Sequence, residues 1–475
     1  MTNTYKRTAV VFALGIGLFT SCSKSFITKT PNDSLDNGKA LTDVASMQTA
    51  LNGAYAQLRT DAAIKATALF GRDLPVIGDL MADNTFIETK NSGRYLNQFN
   101  YSLTFSDGVF GGIWNYAYTA ILDVNNIIDA NVAGADMIKS QAYALRGLLY
   151  FKLVNIYARP YTDNPNGLGV PLILHYSPTL LPTRETVKNV YAQIISDLKT
   201  AFATAPDYVN ASQLSKYAIE GLLAKAYLYM GDNVNAKAAA VDVITNGGFT
   251  LVNTATAYKG FWANSGVQSN KSEVMFEVDM DAVNNNSSDD LGGMYVDGYQ
   301  DIYASKQLVD LYSATDIRKS VLQSGFTKSG AATSIVLKYP NYNSADKDNS
   351  KVIRIAEVYL IAAEASLPGN ETDAKKYLNL LMASRDGAFA GYTSTGAQLL
   401  NDIVTERRKE LAFEGDRFYD LNRLKWDISR GTVNAGSIPQ GLNVIPYTEY
   451  RRIGPIPQGE IQSNANIASQ QNPNY

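Results

Sequence analysis

Arg94, Tyr95, Asn97 and Gln98 crowd a guanidinium, an aromatic ring and two planar amides into five residues. Such a set can stack on the flat face of a polar ligand and exchange hydrogen bonds with the groups around its rim. Trp262, Tyr295, Tyr299 and Tyr303 offer further rings inside a stretch rich in Asn, Ser and Gly. The chain holds 30 tyrosines, a number that suits tightly packed helices as well as a stacking surface, so each ring has a competing role in the core. Trp114, on one stripe with Ile113, Ala117 and Ala120, is expected in that core.

Other chemistries are poorly supplied. Cys22 is the single cysteine, so no disulfide forms within the chain, and beyond it neither thiolate catalysis nor a cysteine metal site is available. His175 is the single histidine, which leaves His-based zinc sites and Ser-His-Asp triads barely possible. It lies in the apolar run GVPLILHYSP and is expected to be packed. Asp279, Asp281, Asn284, Asn285, Asp289 and Asp290 form an oxygen-rich run that a calcium ion could use, but the EF-hand glycine and glutamate spacing is missing. That run reads as a solvated loop, and no cofactor is expected. The 42 basic and 45 acidic groups leave a net charge of −3, and no basic patch points to nucleic acid.

The amino terminus carries an address. Lys6 and Arg7 precede an apolar run, TAVVFALGIGLF, over residues 8–19, and then Thr20, Ser21 and Cys22. That order is a secretion signal, and its dozen apolar residues fall short of the roughly 20 that span a bilayer. Small residues before Cys22 resemble a lipoprotein lipobox, with Phe19 where Leu is usual. Residues 1–21 are then removed and Cys22 becomes a lipidated first residue, tethering the chain to a membrane surface. The alternative is a plain secretory signal that leaves Cys22 a free thiol.

Polar residues 22–43 read as an extended tether, and residues 44–475 as one domain. Helical periodicity marks residues 44–58, 113–130, 140–157, 191–203 and 214–230, the last followed by a second helix to Thr245. Ala224, Tyr227, Gly231 and Ala236 fall at the spacing of a tetratricopeptide-like helical hairpin, in which small residues let two helices approach and glycine turns the chain. Ala362, Ala365, Gly369 and Ala374 repeat that spacing, and Gly147 with Tyr150 gives a fainter copy. The fold class is therefore mainly α, a tetratricopeptide-like hairpin scaffold with irregular and short-strand insertions. Those insertions, about residues 79–107 and 253–350, are the candidate binding face; within the second, 271–279 and 335–339 read as strands.

The charge-rich segment from Glu406 to Trp426 looks like an active site. Its mixture of Arg and carboxylate suits bidentate pairs that tie helices together, and a structural role is the preferred reading. Arg354, Glu357 and Glu364, on an otherwise apolar helix, are expected to form internal pairs.

Several segments resemble the SusD/RagB family of surface glycan-binding lipoproteins. They are ALRGLLYFKLVNIYARP (144–160), RETVKNVYAQIISDLKTA (184–201), KVIRIAEVYLIAAEA (351–365), ERRKELAFEGDRFYDLNRLKW (406–426) and the closing IGPIPQGEIQSNANIASQQNPNY (453–475). The resemblance implies a protein without catalysis, lipid-anchored on the outer face of the outer membrane. It implies an oligosaccharide ligand, or another nutrient such as peptide, delivered to a TonB-dependent transporter of the SusC type. It also places ligand contacts near Arg94, Tyr95, Asn97 and Gln98; Trp262, Tyr295 and Tyr299 are the added stacking candidates. Two other classes stay open: a glycosidase, which needs two suitably spaced carboxylates, and a protein-interaction adaptor.

Overall fold

The computed structural model describes residues 41–59, 67–431, 438 and 441–475. The expected signal, Cys22 and nearly all of the tether lie outside them. Helix α1 (Val44–Arg59) buries Met47, Leu51, Ala54 and Leu58, one residue every three or four along a single stripe. After α2 (Asp73–Leu80) comes α3 (Gly108–Asp129), which starts five residues earlier than its apolar period suggests. Asp107 is the reason: its carboxylate accepts the Val109 and Phe110 N–H groups and caps the first turn. Thr186 caps α5 (Val187–Ala203) in the same way, and α4 (Asp136–Tyr157) packs against it.

The hairpin spacing read from the sequence is realised. Helix α6 (Lys216–Met230) ends at Gly231, which takes φ 76°, and Asp232 then caps α7 (Asn233–Asn246). A left-handed residue at that position is cheap only for glycine. Further on, α9 (Ile355–Ser366) and α10 (Glu371–Arg385) form a second hairpin with Asn370 as cap. Gly147 supports the faint copy, because a Cβ there would lie 3.1 Å from Leu198 of α5. Helix α7 packs directly on α9 although residues 247–354 separate them, so the hairpins form a continuous row and the insertion is looped out. α11 (Gly396–Glu410) and α12 (Arg417–Arg423) then close against α9 and α2 respectively. Among the described residues no helix is long and apolar enough to cross a membrane.

Short antiparallel pairs fasten the insertions. β1 (Thr85–Ile87) pairs with β3 (Ile302–Ala304), placing Phe86 opposite Tyr303 and joining the two irregular stretches. β2 (Val274–Val278) pairs with β6 (Ser350–Arg354), closing the second insertion at its base. β4 (Leu322–Phe326) and β5 (Ala332–Val336) make a hairpin, so the strand expected over 335–339 begins earlier. β7 (Ile428–Ser429) and β8 (Val444–Ile445) form the last pair. The insertion is not wholly irregular, since α8 (Ala255–Ala263) lies within it.

His175 departs from expectation. Its side chain is 84% exposed and only Nδ1 is engaged, 2.9 Å from Asp129. The neighbouring backbone explains this: the carbonyls of Ile173 and Leu174 accept from Asn125, Tyr150 and Arg146, which pins this extended segment to the core and turns His175 outward.

Candidate functional site

The segment from Glu406 to Trp426 is a buried ionic seam. Glu410 is fully buried and receives Arg354 at 2.9 Å and Arg385 at 2.9 Å. Burial alone would raise its carboxyl, but Arg385, Arg354 and Arg318 hold it well below the usual carboxylate range. Asp416 takes Lys225 at 2.8 Å, Arg417 takes Asp83 at 2.8 Å, and Arg423 pairs with Glu364. Arg354 and Glu357 belong to the same lattice, Glu357 through Lys225 at 2.9 Å. Carboxylates so thoroughly paired tie α9, α11 and α12 to α6 and to the two insertions.

The seam also absorbs one expected ligand contact. Trp262 is 1% exposed and lies under Lys338, 4.3 Å from the ring centroid, and Arg354, 5.3 Å away. Tyr295 is fully buried, stacked 5.8 Å from Tyr339. Tyr303 is fully buried too, against Phe86. A ring enclosed on both faces offers no platform to a ligand, so Trp262, Tyr295 and Tyr303 are core, and so is Trp114.

The short segment 94–98 divides by role. Tyr95 is 5% exposed, accepts from Arg72 at 2.6 Å and donates to Asp73. Gln98 is buried and donates to Asp107 at 2.8 Å; Asn97, more exposed, donates to the same carboxylate at 3.3 Å. Gln98 and Asn97 therefore hold the cap of α3, while Tyr95 is the peg that fixes Arg94. Gly93 at φ 89° and Tyr95 at φ 58° bracket Arg94, and this bent backbone turns the guanidinium outward as its neighbour turns in.

Arg94 meets Tyr299 from the second insertion. Its guanidinium carbon lies 3.5 Å from the Tyr299 ring centroid, and Asp289 faces it at 3.4 Å. Asp289 is shared with the buried Arg72 at 2.8 Å. Tyr342, half-buried, lies across Gly298, where a Cβ would approach its hydroxyl oxygen to 2.5 Å. Exposed Asp297 accepts from Asn343 at 3.1 Å, and the Gly298 N–H and Asn343 lower its carboxyl below the usual range. Arg94, Tyr299, Tyr342, Asp289 and Asp297 thus form an accessible aromatic and polar face, positioned by the β1–β3 pairing. Tyr342 and Asp297 were not picked out by sequence reasoning; the Tyr-Asn run before Ser344, inside an Asn-rich loop, was the available signal.

The oxygen-rich run does not converge. Asp281 folds back on Asn284, Asp289 serves Arg72 and Arg94, and Asp290 caps Gly293. No group of three His, Cys, Asp or Glu suited to a metal occurs among the described residues. A cavity of about 380 Å³ opens elsewhere, lined by Trp114, Tyr118, Leu180, Leu181 and Glu460. Its polar atoms are answered locally, Trp114 Nε1 by Glu460 at 3.3 Å and the Tyr118 hydroxyl by the Pro171 carbonyl at 2.8 Å. That wall has few unspent groups for a hydroxylated ligand.

Comparison with known proteins gives a consistent picture. A profile of the SusD family matches residues 333–475, and one described as "Starch-binding associating with outer membrane" matches residues 30–228. The chain is 28% identical to SusD-like protein P2 of Formosa agariphila, over 91% of this chain and 92% of that one. A SusD superfamily protein from Bacteroides thetaiotaomicron superimposes with a TM-score of 0.80 at 28% identity, covering 91% of this chain and all of the other. Another from Bacteroides vulgatus gives 0.82 at 25% identity, with 92% and 100% covered.

Proposed function

This chain belongs to the SusD/RagB family, and from that premise we propose that it captures an oligosaccharide at the Arg94–Tyr299–Tyr342 face without cleaving it. The observation that carries the reading is the pairing of accessible rings with a guanidinium and carboxylates on one surface. Rings cover the apolar side of a pyranose while Arg94 and Asp297 bond its hydroxyls. One face of Tyr299 is already covered by Arg94, so the sugar stacks on the other face or on Tyr342. Affinity is expected near the micromolar range or weaker, because an open face leaves much of the ligand wet.

The exposed carboxyl of this face, Asp297, favours capture over hydrolysis. A glycosidase keeps one carboxyl protonated by raising its pKa, whereas Asp297 is shifted the opposite way. Delivery to a SusC-type TonB-dependent transporter, and a lipid on Cys22 holding the protein at the cell surface, complete the reading. They draw on the family and on the description of the amino-terminal profile. The test is a screen of the chain from residue 23 against a polysaccharide panel, with reducing ends assayed in parallel. Binding of one glycan class without new ends is expected. New ends would overturn the non-catalytic reading, and silence across the panel would shift it to a peptide or another nutrient.

A further inference from the structure

The loops around Tyr299 bring several charges to the same face. Asp289 faces Arg94 at 3.4 Å, Asp297 and Asp301 lie two residues either side of Tyr299 in the chain, and Lys328 pairs with Asp301. Lys328 is spent: its ammonium donates to the Tyr299 carbonyl and lies 3.7 Å from Asp301. Asp301, fully buried, also takes the Ser92 backbone N–H at 3.1 Å. Lys347, behind Tyr342, donates to that residue's carbonyl and sits 3.9 Å from Asp290.

Arg94 is the cation left facing outward. Among the described residues no hydrogen bond holds its guanidinium, which has the stack on Tyr299 and the loose 3.4 Å approach of Asp289. Five N–H donors in a fixed plane can therefore serve ligand oxygens. What they serve is decided by the neighbours. An anionic group brought to Arg94 arrives beside Asp289, with Asp297 exposed in the same loop system, and like charges at such distances repel. A hydroxyl pays no such penalty, and it can also donate to a carboxylate whose lone pairs are only partly used. Asp297 offers that capacity, since it accepts one backbone N–H, from Gly298, and one side-chain amide, from Asn343.

We infer that this face selects uncharged oligosaccharides and discriminates against uronate-bearing or sulfated ones, with Asp297 and Asp289 as the discriminating groups. The inference rests on the glycan-capture reading above and adds the ligand's charge class to it. Lys90, exposed beside Asn91, is a basic side chain of the first insertion outside the ion pairs described, and it provides the control.

The experiment is calorimetric titration of the chain from residue 23 with size-matched probes: neutral β-glucan and xylan oligosaccharides, oligogalacturonate, and a sulfated galactan oligosaccharide. A neutral probe should bind at least about 10-fold more tightly than either anionic probe. Asp297→Asn should narrow that gap by about 2- to 5-fold at low salt, and the narrowing should shrink in about 0.5 M NaCl, where exposed charges are screened. Asp297 is exposed, so the substitution leaves the fold intact, checked by an unchanged Tm. Tighter binding of an anionic probe, weakened by salt and lost in Tyr299→Ala or Lys90→Ala, would overturn the charge selection while leaving capture at this face standing. Binding that ignores Tyr299→Ala, or no binding by any probe, would overturn both.

Discussion

The ionic seam and the Arg94 face are built from the same residue types, and they behave as opposites. In the seam Arg385 is fully buried, with Glu410 at 2.9 Å and Glu273 at 2.8 Å taking its donors. On the face Arg94 is one-third exposed, stacked on a ring, with its donors unspent. Trp262 and Tyr299 differ in the same sense, since both lie against cations but only Tyr299 keeps a side toward solvent. Composition does not separate structure from recognition here. Whether the hydrogen-bonding capacity is already consumed does.

The sharpest way to break this contrast is to remove a seam carboxylate. Glu410→Ala leaves three guanidinium groups without their shared partner, and an uncompensated buried charge costs about 3–5 kcal/mol. Chemical denaturation should show that loss, or the variant should fail to accumulate folded. Trp262→Ala should follow closely, at roughly 3–5 kcal/mol for a large side chain removed from a packed core, without altering the ligand preference of whatever remains folded. Tyr299→Ala should do the reverse, weakening glycan binding about 10-fold or more, since stacked rings carry ~1–3 kcal/mol in comparable platforms, with the denaturation midpoint unchanged.

Acid separates the regions more gently. Burial opposes ionisation of Asp420 and Asp83, yet Arg407 and Arg423 hold the first at about 2, and Arg417 with Arg408 holds the second at about 2. Both lie below the unfolded value, so their stabilisation is complete above it and is lost as pH falls from about 4 through about 2. A circular dichroism pH series should show unfolding that begins below about pH 4, and Asp420→Asn should flatten that slope. Smallest of all, Gly298→Ala should reduce binding only a few-fold, by forcing a side chain into a φ of 68° and pushing Tyr342 off its bed, at a stability cost of about 1 kcal/mol.

Much of the scaffold was legible in the sequence because it is locally encoded. A stripe such as Met47, Leu51, Ala54 and Leu58 announces its helix, and Gly231 announces its turn. The structural role of the 406–426 segment was legible from its balanced mixture of Arg and carboxylate, with pairs such as Arg407 and Asp420 closing inside it, while partners such as Lys225 and Asp83 lie far along the chain. The face was only half legible. Arg94 and Tyr299 are brought together by β1–β3 pairing across more than 200 residues, and no local pattern reports that. Tyr95, Trp262 and Tyr295 carry the right chemistry for stacking, but their burial is set by Asp73, Lys338 and Tyr339, which lie elsewhere in the chain. Asn97 and Gln98 were read as ligand amides, while the carboxylate they serve is the helix cap Asp107.

The most direct test of capture at the exposed face is a calorimetric titration of one glycan, chosen from the screen, into the wild-type chain, Tyr299→Ala and Tyr295→Phe. Removing the Tyr295 hydroxyl alters only the core, so Tyr295→Phe should bind like wild type while Tyr299→Ala binds about 10-fold more weakly or not at all, both with unchanged thermal midpoints and no new reducing ends. Equal binding by Tyr299→Ala and wild type, or release of reducing ends by either, would contradict the account.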